Sequence, residues 1–253
     1  MAACGICEQA LVIELDPDSF DESAASSSVG SAVTAPDDLL LLCGCHFHWQ
    51  CLLDESTQIA LSLTCPACDN SIVSTSPGPQ PHILARYHNE GGIQENLDVL
   101  PLITEEAYLE TNPAARPARA FMTMCAEGDV SGIAELLKDV EEQEDEEGMS
   151  AGEILRWQDP LDGMKTGLHI ALLRAQQEVV WLLLWLASDL TTQAFPEEAS
   201  HTAQVIGADR GTTRGVDIRS LVDEQGRTAE DVARSAGNTW TQLLGGGVLR
   251  VRA

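Results

Sequence analysis

The sequence predicts two modules of different class: a small α+β unit stapled by paired cysteines, then an all-α stack of paired helices. Three observations predict this. Seven of the eight cysteines fall before residue 69, in close pairs with one histidine among them. A proline-rich stretch, residues 74–81, follows. From Ala118 a helix–turn–helix pattern recurs, each unit closed by a Leu-Leu pair.

A chain of 253 residues suits one or two domains with a real core. Lys and Arg total 14 against 40 Asp and Glu, a net charge of −26. Such a field repels a phosphate backbone, so no nucleic-acid partner is expected. Apolar residues reach 44%, too many for an acidic disordered chain. The start, Met1-Ala2-Ala3-Cys4-Gly5, lacks a signal peptide's basic and apolar regions. The longest apolar run, residues 179–187, is too short to span a bilayer, so no membrane is expected. An intracellular setting, cytoplasmic or nuclear, is expected, where cysteines serve as metal ligands rather than disulfides.

The N-terminal third reads Cys4-x2-Cys7, Cys43-x-Cys45-x2-His48-x2-Cys51 and Cys65-x2-Cys68. Each close pair grips one edge of a tetrahedral ion and two pairs complete a site. Eight ligands therefore predict two structural zinc ions.

This spacing, over residues 1–73, resembles the RING-type zinc finger, and all eight positions match. The resemblance implies a small zinc-bound α+β RING domain with cross-braced sites. Cys4, Cys7, His48 and Cys51 would hold one zinc; Cys43, Cys45, Cys65 and Cys68 the other. His46 competes with Cys45 locally, but position 45 keeps the family spacing to His48, so His46 is expected to be exposed. Residues 39–42 read as a buried strand, Phe47 as the family's core aromatic, and the stretch after Cys51 as its central helix. Residues 16–37 are acidic and Ser/Ala-rich, and read as a disordered loop.

The family mostly acts as ubiquitin ligases. It forms no covalent intermediate, so no catalytic residue is predicted, and catalysis is positioning of a charged conjugating enzyme. The resemblance implies that Ile6 and Pro66, with Trp49, contact the ubiquitin-conjugating enzyme. Many members carry a cation just after the last ligand. Here Asp69-Asn70 stands in that place.

Residues 74–117 read as a Pro-rich linker and connecting segment, with a short helix opening near Thr104. In residues 118–253 the first two units align, with Gly128 and Ala175 each five positions before Ile133 and Val180. Thr166-Gly167-Leu168-His169-Ile170-Ala171 resembles the ankyrin signature Thr-Pro-Leu-His-x-Ala, with Gly167 replacing proline. Residues 223–233 resemble a further unit. About three divergent ankyrin-like repeats are expected, with an insertion at 190–220 and a last helix over 239–244 as an altered cap. The resemblance makes His169 a structural hydrogen bonder. Cys125 reads as a buried small residue, Trp181 and Trp185 as core, and the acidic run 141–147 as a solvated loop.

The function expected is a RING-type E3 ubiquitin-protein ligase, recruiting a charged conjugating enzyme through the zinc domain and a protein substrate through the ankyrin surface. The alternative is a non-catalytic zinc-binding adaptor. No phosphate-binding loop, nucleophile elbow or spare His/Cys cluster points to a hydrolase or oxidoreductase.

Overall fold

A computed structural model describes residues 2–14, 34–74, 81–142, 148–205, 207 and 215–251. It is mixed α and β, with eleven helices and two small sheets among these residues. The chain divides into two compact units, residues 1–111 and 112–253, each with its own buried core.

In the first unit β1 (Val12–Glu14) pairs antiparallel with β2 (Thr34–Pro36). The four-stranded antiparallel sheet has the order β4-β3-β5-β6. Its strands are β3 (Asp38–Leu41), β4 (His46–Phe47), β5 (Leu84–Asn89) and β6 (Gly92–Asp98). Leu39 and Leu41 on β3, Phe47 on β4 and Ala85 on β5 face the core, as strand alternation requires. Helices α1 (Trp49–Asp54), α2 (Ser56–Ser62) and α3 (Leu100–Thr111) complete the unit, and α3 packs on α2. Leu52, Ile59 and Ile103 bury beside the sheet's Phe47 in one core.

Several expectations change here. Residues 34–36 of the anticipated loop are strand, and Asp37 is buried; residues 15–33 lie outside the described set. Leu42 is exposed, because β3 ends at Leu41. The single helix expected after Cys51 breaks at Glu55 into α1 and α2. The segment read as a linker is structural from residue 82 on. Its hairpin adds to β3 through β5, and α3 runs the full Leu100–Thr111. The first compact unit extends to Thr111. Asn89 makes the hairpin turn, its side-chain oxygen accepting the Gly91 N–H at 2.9 Å, while Gly92 adopts φ +111°.

The second unit is helical: α4 (Arg116–Glu127), α5 (Val130–Glu142), α6 (Ala151–Leu155), α7 (Gly167–Leu173), α8 (Gln177–Ala187), α9 (Glu197–Val205), α10 (Ala229–Ser235) and α11 (Thr241–Gly245). Left-handed residues lie in the turns that leave three of these helices. Gly128 (φ +87°), Ala175 (+59°) and Gly237 (+72°) each take the left-handed conformation after α4, α7 and α10. Gly128 and Ala175 are the two positions the sequence alignment pairs.

Thr166 and Thr228 cap α7 and α10 with reciprocal capping boxes, through His169 and Asp231. Antiparallel bridges Asp159–Lys165 and Val222–Thr228 precede both caps. Gly167 is tightly enclosed: a Cβ there would lie 2.6 Å from the Phe121 ring and 2.8 Å from the Cys125 sulfur. Cys125 is fully buried, and burial pushes its thiol well above the ordinary range. Trp185 is buried and Trp181 packs partly on the same core. The anticipated insertion contains α9, and its residues 206 and 208–214 lie outside the described set. The expected last helix is a 3₁₀ turn, Gly237–Trp240, followed by α11. Residues 143–147 of the acidic run are likewise outside the described residues.

Candidate metal centres

Two turns of identical hydrogen bonding present four of the sulfurs. In the first, the Cys4 N–H donates to the Gln9 carbonyl (3.0 Å) and the Glu8 N–H to the Cys4 carbonyl (2.9 Å). In the second, the Cys65 N–H donates to the Asn70 carbonyl and the Asp69 N–H to the Cys65 carbonyl, both 2.9 Å. Glu8 (φ +61°) and Asp69 (φ +58°) take the left-handed conformation at equivalent points. Bridges Ala3–Ala10 and Thr64–Ser71 close the two knuckles. The remaining ligand positions come from the turn after β3 (Cys43, Cys45) and the entry to α1 (His48, Cys51).

The fold gathers these into two clusters, Cys4–Cys7–His48–Cys51 and Cys43–Cys45–Cys65–Cys68. Within each cluster the ligand atoms all lie within 4.8 Å of one another. A tetrahedral ion with metal–sulfur bonds of about 2.3 Å needs sulfurs roughly 3.8 Å apart. The spacing is thus close to a coordination shell, and the soft S/N donors suit zinc.

His48 is oriented for this role. Its Nδ1 sits 3.3 Å from the Cys7 sulfur and 3.8 Å from that of Cys51. Its Nε2 meets the Ala10 carbonyl at 2.9 Å, which assigns the proton to Nε2 and leaves Nδ1 as a donor atom. Burial lowers the His48 pKa, but the Ala10 carbonyl and Cys4 sulfur outweigh it and raise it.

The sulfurs divide unevenly. Burial opposes ionisation of Cys4, yet N–H groups from Cys7, His48 and Ile6 outweigh it and bring its pKa down to about 6. Burial holds Cys51 up at about 12, aided by the Cys4 and Cys7 sulfurs. In the second cluster the Asn70 N–H brings Cys68 to about 7, while burial raises Cys45 and Cys65. Clustered thiolates repel, so ionising a whole cluster requires a cation at its centre.

Ile6 is exposed, on the first knuckle between two ligands. Pro66 is half-buried on the second knuckle, between Cys65 and Cys68 at the position that matches Gly5. Trp49 is half-buried and stacks on Tyr87, with ring centroids 4.9 Å apart and a 37° interplanar angle. His46 is not exposed: it is half-buried, with Nδ1 2.6 Å from the Asp38 carboxylate.

Three supports are not evident from ligand spacing. Buried Asp37 accepts the Trp49 N–H (3.1 Å) and the Tyr87 hydroxyl (3.0 Å), fixing the start of α1. Burial, then this hydrogen bond, pushes Tyr87 up to about 12. The Asn70 side chain donates to the Cys68 sulfur at 3.3 Å. Gly5 lets the knuckles meet, since a Cβ there would lie 2.9 Å from the Ala67 Cβ and 3.1 Å from the Phe47 ring. Gly5→Ala is expected to destabilise the first unit by about 1–2 kcal/mol, measured by urea unfolding with metal bound.

Comparison of the chain with protein-family models, curated proteins and solved structures finds no match. No helix among the described residues is long and apolar enough to cross a membrane.

Proposed function

We propose that the chain is a RING-type E3 ubiquitin-protein ligase. The observation that carries this reading is the pairing of ligands: the first pair with the third, the second with the fourth, as in a RING cross-brace. The two clusters would each hold a structural zinc ion, whose contribution is folding energy. Chemistry then rests on presentation. Ile6 on one knuckle, Pro66 on the other and Trp49 at the start of α1 form the proposed contact for the conjugating enzyme. That contact holds the enzyme's ubiquitin thioester in a reactive pose.

The helical unit is proposed as a divergent ankyrin-type stack that holds the protein substrate. Supporting it are the capped α7 and α10, the bridged turns before them, and the repeated left-handed turns. Enclosure of Gly167 by Phe121 and Cys125 accounts for its departure from the family's proline.

Discharge of ubiquitin from a panel of conjugating enzymes tests the reading. Full-length zinc-loaded protein is expected to accelerate discharge with at least one of them, and Ile6→Ala to lower that rate about tenfold. Asp69, where many ligases carry a cation, favours a second reading as a non-catalytic adaptor. Two bound zinc ions with no discharge across the panel support the adaptor. Activity switched on by Asp69→Arg would assign the silence to the missing cation.

A further inference from the structure

The helical unit carries a cavity of about 280 Å³ between α8 and α9, remote in sequence from both metal clusters. Leu182, Pro196 and Ala203 give it an apolar lining, and Trp181 supplies an aromatic wall. Trp181 is braced by Phe195, with centroids 5.9 Å apart at 62°; Phe195 in turn meets Trp185 at 5.1 Å and 75°. Two glutamates line the same cavity, Glu178 from the first turn of α8 and Glu198 from the first turn of α9. Both are exposed, and neither pairs with a cation among the described residues. A helix N-terminus explains why an acid is stable at each position. It does not explain why both acids and a tryptophan share one hollow with an apolar side.

The geometry points to a binding site for a lysine or arginine side chain of a basic peptide segment. Such a side chain has an apolar stem and a cationic head. The stem matches the Leu182, Pro196 and Ala203 lining. The head matches a cavity lined by two glutamates and an indole, which attract a cation by charge and by the ring's quadrupole. The chain's net charge of −26 draws basic segments toward it from a distance. The site is independent of any ligase activity.

Calorimetric titration of the full chain tests it, using a short peptide that alternates lysine with glycine and serine, plus its arginine and norleucine counterparts. The lysine and arginine peptides are expected to bind and the norleucine peptide not to. The double variant Glu178→Gln, Glu198→Gln is expected to weaken binding about tenfold or more. A control, Glu135→Gln with Asp139→Asn, removes the same charge from exposed positions on α5. It is expected to change binding by less than about twofold. Equal losses in the two variants would reduce the effect to general attraction by an acidic chain and overturn the site. Norleucine binding as tightly as lysine, or no binding by any peptide, would overturn it too.

Discussion

Stripping metal with a strong chelator is expected to unfold residues 1–111 while the helical unit stays folded. The first unit's core is thin: Leu39, Leu41, Phe47, Leu52, Ile59, Ile72, Ile83, Val99 and Ile103 supply most of its large apolar burial. Structural zinc supplies about 10–16 kcal/mol of folding free energy per site. That compares with a whole domain's net stability of about 5–15 kcal/mol. Cys4→Ser and Cys65→Ser should each mimic chelation, because the two knuckles touch through Gly5 and Ala67 and lose their footing together. Cys125→Ser is the contrast. That thiol is buried in the helical core, so the cost should be about 1–2 kcal/mol and independent of metal. Hydrogen exchange with metal analysis checks all three. Unchanged protection in the first unit after chelation, or fewer than two zinc ions per chain, would refute the assignment.

His169→Ala is expected to cost the helical unit about 2–4 kcal/mol, read by urea denaturation. The imidazole is fully buried and hydrogen-bonded at both nitrogens. Nδ1 accepts the Thr166 N–H at 3.2 Å and lies 2.7 Å from the Thr166 hydroxyl, while Nε2–H donates to the Arg227 carbonyl at 3.1 Å. One ring thus ties the cap of α7 to the turn before α10. Truncation leaves a cavity and orphaned polar groups at both ends. Burial holds the His169 pKa below its ordinary value, against the pull of the Arg227 carbonyl. The unfolded ring titrates near pH 6.5. The neutral ring's contribution is therefore complete above about pH 6.5 and is lost as pH falls toward the folded value. A pH series should show this loss in the wild type, and His169→Ala should lack that component.

The two Cys/His clusters were legible because their spacing is local chemistry. A Cys-x2-Cys turn has one useful geometry, and its residues announce themselves by type. The helix pairs were legible for a related reason: Gly128 and Ala175 mark turns at a fixed offset from Ile133 and Val180. The hairpin at residues 84–98 was not. Its outer strand, Gly92–Asp98, is largely solvent-facing and carries no apolar alternation. Its neighbour reads as strand only once Leu39, Leu40 and Leu41 are known to pair with Tyr87, Arg86 and Ala85. The proline-rich run at 74–81 looked like a boundary, yet the compact unit continues past it to Thr111, because prolines that break local structure say nothing of which strands pair on either side.

By itself the sequence determined the residues of the two Cys/His clusters, the presence of two structural classes and the turns at Gly128 and Ala175. Each depends on residue type within a few positions along the chain. Tertiary structure alone decided where the first unit ends, that His46 is tied to Asp38, that Asp37 anchors α1, and that Trp181, Glu178 and Glu198 share a cavity. These facts depend on groups brought together from distant strands and helices, where burial and hydrogen-bond satisfaction, rather than local spacing, select the partner.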